Sequence, residues 1–127
     1  MAESIDLYFR LMPRGGRARL CGERMWSPAA DVYRTSDGWI VKFDLAGVSS
    51  EDIEITVDGP TLHISGIRRD TFYGEGVSYH QLEITYSRFE RMLRFPCSIE
   101  SAHVAREYQD GLLILHLRQS LEDENCD

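Results

Sequence analysis

Apolar and polar residues alternate with a period of two along most of this chain, from residue 29 onward. The same alternation returns over residues 53–58 and again over residues 61–65. A period of two is typical of β-strands that bury one face, because successive side chains point to opposite sides of a sheet. The pattern therefore predicts an all-β domain. Its clearest apolar face, within residues 39–45, consists of Trp39, Val41, Phe43 and Leu45.

Short turn sequences separate these strand patterns. Residues 36–38 and 58–60 each contain an Asp-Gly pair, and Asp110 with Gly111 repeats it before the last strand. Such pairs accept the positive φ angles that tight reversals require. Residues 112–117 are apolar on both faces except at His116, as expected of a strand inside a sandwich. Strands and turns at this spacing predict an immunoglobulin-like β-sandwich of roughly seven to nine short antiparallel strands.

The β pattern divides the chain into three parts. Residues 1–25 show no sustained period, so we expect a flexible N-terminal arm with at most one short helix. Residues 26–118 form the domain, and residues 119–127 form a flexible acidic C-terminal tail. Within the domain, the Gly-rich polar run at 68–78 predicts a long loop.

Composition and charge narrow the classes of function. The formal net charge of −7 argues against a nucleic-acid-binding protein, which would present a basic face. Glu3 and Asp6 interrupt the only apolar N-terminal run, and no stretch approaches the roughly 20 apolar residues of a membrane span. We expect a cytoplasmic protein that binds neither nucleic acid nor membranes. Its three cysteines form no Cys-x-x-Cys pair, and we expect them to be reduced.

No grouping of residues points to an enzyme. The four histidines are scattered over predicted strands, and neither a His-Glu-x-x-His nor a Gly-x-Ser-x-Gly motif is present. Lys42 is the only lysine and lacks the preceding glycines of a phosphate-binding loop, so any activity is expected to be independent of ATP. We therefore expect no catalytic residues, no metal and no cofactor.

Residues 26–118 resemble the α-crystallin domain of small heat-shock proteins almost end to end. The resemblance rests on six short motifs in the family's order and spacing. They are 26–29 (Trp-Ser-Pro-Ala), 44–48 (Asp-Leu-Ala-Gly-Val) followed by 51–53 (Glu-Asp-Ile), 62–66 (Leu-His-Ile-Ser-Gly), 79–83 (Tyr-His-Gln-Leu-Glu), 89–96 (Phe-Glu-Arg-Met-Leu-Arg-Phe-Pro) and 110–113 (Asp-Gly-Leu-Leu). The chain departs from the family's pattern at Ala46, Ser87 and Arg106. The family's apolar-x-apolar tail anchor is also absent, since only Leu121 lies beyond the last strand.

The resemblance implies a homodimer built by strand exchange. In bacterial and plant members the long loop carries an extra strand, and residues 77–82 have the composition for it. This strand would pair with residues 31–34 of the neighbouring subunit, and an ion pair between Arg91 and Glu83 would cross the seam. Higher oligomers are left open. The implied interface residues are Asp31, Val32, Tyr33, Arg34, Tyr79, His80, Leu82, Glu83 and Arg91.

The resemblance also implies a groove that binds apolar-x-apolar segments of another arm or of a client protein. It would lie between the strand of Ile55 and Val57 and the strand of Ala102 and Val104. Edge strands expose unpaired N–H and C=O groups, which favour the addition of another strand.

The arm carries the best candidates for contact with clients, because flexible apolar segments repack on varied partners. Ile5 and Leu7 point the same way in an extended segment and could occupy the groove in place of the tail anchor. The alternative is a short helix that serves only as a client surface. The candidate arm residues are Ile5, Leu7, Tyr8, Phe9, Leu11 and Met12.

Together these features predict an ATP-independent chaperone of the holdase type, which binds unfolding proteins and prevents their aggregation under stress. The alternative is a related β-sandwich that acts as a co-chaperone or adaptor for one specific folded partner. Such domains generally lack the exchanged strand. An enzyme or a ligand-binding sandwich would need a concave polar site, which the sequence does not indicate.

Overall fold

The strands of the structure occupy the part of the chain in which the period of two is found. The computed structural model describes residues 25–72 and 75–119. Its strands are β1 (Ala30–Thr35), β2 (Gly38–Asp44), β3 (Ile53–Asp58), β4 (Thr61–Ile67), β5 (Arg88–Arg94), β6 (His103–Gln109) and β7 (Leu112–Arg118), with a 3₁₀ turn at Ser50–Asp52. The all-β prediction is confirmed, with seven strands in the described part of the chain.

These strands form two antiparallel sheets that pack face to face. One sheet has the order β1-β2-β7-β6 and the other has the order β3-β4-β5. The chain crosses from the first sheet to the second after β2 and returns after β5. Both sheets are open, so β1, β6, β3 and β5 are edge strands. The predicted β-sandwich is confirmed.

The inner faces of the two sheets form the core. β7 pairs with β2 on one side and with β6 on the other, so residues 112–117 are the buried strand that the sequence predicted. Fully burying a large apolar side chain contributes about 1.5–3 kcal/mol to stability. The alternation therefore predicted the inward face of β2, β3 and β4. The buried core residues are Val41, Phe43, Leu45, Val48, Ile53, Leu62, Ile64, Phe89, Phe95, Ile99, Leu113, Leu115 and Leu117.

Two of the predicted turns have the backbone conformation that their residues favour. Asp110 and Gly111, between β6 and β7, have φ angles of 54° and 83°. Positive φ at both central residues is the geometry of the hairpin turns that Asp-Gly pairs prefer. Gly59, between β3 and β4, has a φ of 59°.

The segment before β1 ties the two sheets together along one side of the sandwich. The backbone N–H of Trp26 donates to the carbonyl of Arg88 at 2.9 Å, and the N–H of Glu90 donates to the carbonyl of Trp26 at 3.0 Å. The Trp26 ring meets the Phe89 ring edge-on, with 5.6 Å between centroids. This segment bonds to the outer edge of β5 and then continues along the chain into β1. The edges of β5 and β1 therefore lie on the same side of the sandwich. The edges of β3 and β6 therefore lie on the opposite side.

The run between β4 and β5 is the long loop that the sequence predicted. Its described residues, 68–72 and 75–87, contribute no strand to either sheet. Residues 77–82 thus form no strand within a single chain. Their predicted pairing needs a second chain and stays a prediction.

Gly66 on β4 generates a prediction about packing. A Cβ atom at this position would lie 2.0 Å from the carbonyl oxygen of Asp52 and 2.6 Å from the Phe89 ring. We expect Gly66→Ala to lower the free energy of unfolding by about 1–3 kcal/mol, because backbone and a buried ring must both shift. Equilibrium denaturation measures the change. The neighbouring Ser65→Ala should stay within about 0.5 kcal/mol of the parent protein, and equal effects of the two changes would contradict the packing argument.

Candidate functional site

β1 forms an accessible outer edge of the four-stranded sheet. It pairs only with β2, with Val32 opposite Val41 and Tyr33 opposite Ile40. Val32 and Tyr33 are each 44% exposed despite their apolar bulk. An edge of this kind can pair with a strand of another chain. The predicted interface residues Asp31 and Arg34 are exposed on the same strand.

The only lysine of the chain lies beside β1 on the outer face of the sheet. The hydrogen bond with the Tyr33 side chain raises the pKa of the Lys42 amine above its usual value. The Lys42 nitrogen also lies 5.1 Å from the centroid of the Tyr33 ring, within the range of a cation–π contact. Lys42 therefore helps to orient a side chain of the exposed edge.

Most of the exposed apolar side chains lie on β1 or in the long loop between β4 and β5, the two elements that contain the segments paired in the predicted dimer. Nine large apolar residues are exposed in the described part of the chain, and seven of them lie on β1 or in the long loop. Exposed apolar patches of this kind mark interaction surfaces more often than scattered single residues do. His80 and Glu83 are exposed in the same loop. The seven residues are Val32, Tyr33, Phe72, Val77, Tyr79, Leu82 and Ile84.

Arg91 lies on β5, next to the segment that leads into β1. Its Nη1 donates a hydrogen bond to the carbonyl of Pro28 at 2.9 Å. Glu83 accepts a hydrogen bond from Nε2 of Gln81 at 2.5 Å. Within one chain, the described residues show no ion pair between Arg91 and Glu83. The predicted pair belongs to a dimer and stays a prediction.

The predicted groove residues lie together on the side of the sandwich opposite to β1. The N–H of Ile99 donates to the carbonyl of Gly59 at 2.9 Å, which joins the start of β6 to the end of β3. Nη2 of Arg106 donates to the carbonyl of Ser50 at 3.2 Å and bridges the same two edges at their other end. The partly buried residues between these bridges, packed against the core, are Ile55, Val57, Ala102 and Val104. The geometry fits a groove, and its occupant stays a prediction.

Some expectations fall on residues outside the described ranges. These include the candidate arm contacts Ile5, Leu7, Tyr8, Phe9, Leu11 and Met12, and most of the acidic tail.

The expectation of reduced thiols is wrong for Cys97, which is disulfide-bonded in the structure. Spacing along the chain could not reveal this, because a disulfide depends on two Cα atoms approaching within about 4–7 Å in the fold. Cys21 and Cys126 lie outside the described ranges.

Arg68, at the end of β4, binds three separate parts of the chain. Its Nε and Nη2 donate to the carbonyl of Thr85 at 2.9 and 2.7 Å, and its Nη1 donates to the carbonyl of Ala46 at 3.1 Å. The guanidinium carbon lies 4.1 Å from the centroid of the Trp26 ring. Hydrogen bonds from a charged donor and a cation–π contact each stabilise this arrangement.

Arg68 also holds the two ends of the long loop close together. Its backbone N–H donates to the carbonyl of Ser87 at 2.9 Å, so the chain leaves β4 beside the point where it approaches β5. Local sequence does not distinguish Arg68 from Arg69, whose Nε lies 3.2 Å from Oδ2 of Asp52. The partners of Arg68 are mostly backbone carbonyls, and only the fold brings these groups close together.

Two histidines of the domain, His63 and His116, lie close to glutamate carboxylates. Nε2 of His63 lies 2.6 Å from Oε2 of Glu90, and Nε2 of His116 lies 3.5 Å from Oε1 of Glu107. Across residues 25–72 and 75–119, no group of three or more His, Cys, Asp or Glu side chains could hold a metal ion. No helix in that part of the chain is long and apolar enough to cross a membrane.

The sequence pattern that describes the Hsp20/alpha crystallin family matches residues 31–126. The protein therefore belongs to the Hsp20/alpha crystallin family, as the motifs had indicated. Small heat shock protein C2 of Rickettsia felis is 26% identical over 91 residues, which is 72% of this chain and 59% of that protein. Spore protein SP21 of Stigmatella aurantiaca is 30% identical over 96 residues, covering 76% of this chain and 57% of that protein. The chain thus matches less than two thirds of the length of these relatives.

Solved structures support the same fold. Heat shock protein 16.0 from Schizosaccharomyces pombe superposes with a TM-score of 0.68 at 24% identity, covering 80% of this chain and 94% of that chain. The hspA protein from Xanthomonas axonopodis gives a TM-score of 0.61 at 23% identity, covering 76% of this chain and 96% of that chain. At such identities the comparison confirms the α-crystallin fold.

Arg68 generates a prediction about the base of the loop. Arg68→Lys keeps the charge, but its compact ammonium lacks the planar fork of donors that binds the Thr85 and Ala46 carbonyls together. We expect the free energy of unfolding to fall by about 2 kcal/mol, and amide hydrogen exchange to accelerate at residues 84–87. Arg69→Lys is the matched control and should lower stability by less than about 1 kcal/mol, because its ion pair is partly exposed. Equal losses in the two variants would show that Arg68 has no special role.

Proposed function

We propose that this protein is an ATP-independent molecular chaperone of the holdase type, which binds unfolding proteins and prevents their aggregation under stress. Membership of the Hsp20/alpha crystallin family supports a chaperone role. The single observation that carries the proposal is the placement of exposed apolar side chains. Seven of the nine exposed large apolar residues of the described ranges lie on the edge strand β1 or in the long loop between β4 and β5. Such a surface suits pairing between chains.

The functional unit of this proposal is a homodimer formed by strand exchange, as in bacterial and plant members of the family. Residues 77–82 of each subunit pair with the open edge of β1 in the other, which also covers Val32 and Tyr33. Reciprocal exchange produces two-fold symmetry. Arg91 and Glu83 form an ion pair across the seam, and removing one partner of a buried pair costs about 3–5 kcal/mol. The proposal is limited to the dimer and leaves higher oligomers open.

The groove between β3 and β6 is the proposed site for apolar-x-apolar segments. Burying two aliphatic side chains there contributes roughly 3–6 kcal/mol before the cost of ordering the bound chain. An interaction of that size gives weak, reversible capture. The apolar residues of the arm, from Ile5 to Met12, supply further adaptable contacts with clients.

The proposal extends to the setting of the protein. The chaperone acts in the cytoplasm, without a cofactor or catalytic residues, and it binds neither nucleic acid nor membranes. Residues 26–118 form its domain, between an arm at 1–25 and a tail at 119–127. The alternative function is that of a co-chaperone or adaptor for one specific folded partner. Activity towards unrelated unfolding proteins separates the two functions.

The first functional prediction concerns aggregation. The purified protein should suppress heat- or reduction-induced light scattering of several unrelated proteins, without added nucleotide. Val104→Ser, in the groove, should weaken suppression by about two- to tenfold, because it removes apolar area from a half-buried binding surface. Ala105→Ser is the matched control, since the adjacent residue on a strand faces the opposite side of the sheet, and it should behave like the parent protein.

Circular dichroism would show whether both variants remain folded. Unchanged scattering of every client at equimolar or higher protein would overturn the holdase proposal. Protection of one client alone would favour the adaptor.

The second functional prediction concerns the loop. Residues 71–82 can be removed without disturbing the sandwich, because the Arg68 N–H holds the loop ends together at 2.9 Å from the Ser87 carbonyl. A variant in which a short Gly-Ser link replaces residues 71–82 should be a folded monomer by light scattering. A Gly-Ser loop of the original length should give the same result, since the strand's side chains are lost in both. A dimeric deletion variant would place the interface elsewhere.

A further inference from the structure

Two exposed apolar residues are not explained by the proposed dimer. Met25 is 52% exposed and Met92 is 61% exposed. Met92 pairs with His63 on the outer face of the three-stranded sheet, the face turned away from the core. Met25 reaches the same face, where it lines a cleft together with His63. Methionine side chains are adaptable and recur on surfaces that bind other chains.

Four acidic residues and one arginine, Arg88, line the cleft on this outer face, so its charge is negative on balance. The cleft encloses about 480 Å³ between β3, β4 and β5. Two of its acidic residues are already engaged, since Asp52 bonds Arg69 and Glu90 bonds His63. Glu51 and Glu54 also line the cleft, and they form no ion pair with any residue of 25–72 or 75–119. The surface therefore combines unpaired negative charge with exposed thioether groups.

We propose that this face is the docking surface of the basic segment 10–24 of the same chain. Charge complementarity is the first argument. The segment contains five arginines and a single acidic residue, Glu23. Apolar residues lie between the arginines, and in the proposed docking they contact the exposed methionines of the surface. Arg19 is the arginine closest to Met25 along the chain after Arg24, at a separation of six residues.

Continuity of the chain is the second argument. Arg24 directly precedes Met25, which lines the cleft. Each extended residue spans up to about 3.5 Å, whereas β5 and β3 are only about 10 Å apart across the sheet. A few residues therefore suffice to cross the face. Docking on the subunit's own sheet needs no second chain and no long linker.

The direction of this path has a consequence that rests on the proposed function. The segment crosses from the β5 side towards β3, and β3 borders the groove that would bind clients. Docking would thus deliver the apolar residues 5–12 towards the groove side of the sandwich. Because exposed ion pairs weaken with salt, the hold on the arm would be reversible.

The experiment uses the full chain and exploits its single lysine. Arg19→Lys places one new amine in the segment, with Lys42 as the only other lysine. A zero-length carbodiimide reagent joins amines to carboxylates that they contact. We expect Lys substituted at 19 to link to Glu51 or Glu54, as identified by mass spectrometry of the peptides. Mixing ¹⁵N-labelled and unlabelled protein tells links within one chain from links between chains.

A protease assay provides a second readout. Trypsin should cleave after Arg14, Arg17 and Arg19 about fivefold faster in the double variant Glu51→Gln, Glu54→Gln, since two exposed ion pairs contribute an effect of this size. High salt should speed cleavage of the parent protein and leave the variant unchanged. A double variant on the other sheet, Asp44→Asn with Glu107→Gln, is the matched control and should match the parent.

Each outcome bears on the proposal. Links to carboxylates elsewhere, or equal cleavage of the two double variants, would overturn the docking surface. Links only between labelled and unlabelled chains would overturn the assignment to the same chain. Neither readout involves a client, so failure of the chaperone proposal would leave this result intact, and the converse also holds.

Discussion

Two open β-sheets stacked face to face must leave four strand edges, and this constraint shapes everything outside the core. The backbone N–H and C=O groups along such an edge are strong hydrogen-bonding groups that need water or another strand. The segment around Trp26 covers part of the β5 edge. The Trp26 N–H donates to the Arg88 carbonyl, and the Trp26 carbonyl accepts from the Glu90 N–H. Among residues 25–72 and 75–119, β1, β3 and β6 have longer edges that pair with no further strand. The proposed dimer and the proposed groove are two ways of pairing them.

The tie between the two sheets depends on a small number of long-range contacts. Trp26 packs against Phe89 on one side and lies under the Arg68 guanidinium on the other. Arg68 in turn binds the carbonyls of Thr85 and Ala46. Arg68 therefore joins the segment around Trp26, the turn after β2 and the end of the long loop. Its planar guanidinium presents a fixed fork of donors and a flat face to the Trp26 ring at once, whereas a lysine has only a compact ammonium group.

Local rules were enough to predict most of the sandwich. The inward face of β2 follows from alternation, the central place of β7 follows from its apolar residues on both faces, and the turn at Asp110 and Gly111 follows from the conformations that these residues accept. Arg91 was singled out only through its position in a family motif. The contacts of Arg68, the disulfide at Cys97 and the acidic cleft could not be predicted, because each depends on residues far apart in sequence meeting in space. Periodicity describes one strand at a time and gives no information about such meetings.

Because the two ends of the long loop are held together, the length of the loop has little effect on the stability of the domain. Since the base is held by β4, β5 and Arg68, residues inserted at the tip change only the entropy of closing the loop. Doubling the length of a flexible loop costs only about 0.6 kcal/mol. Insertions and deletions between residues 70 and 84 would therefore be tolerated in evolution far more readily than changes at the base. Loop length could then drift among related chains and alter how far the loop reaches, while the sandwich beneath stays the same.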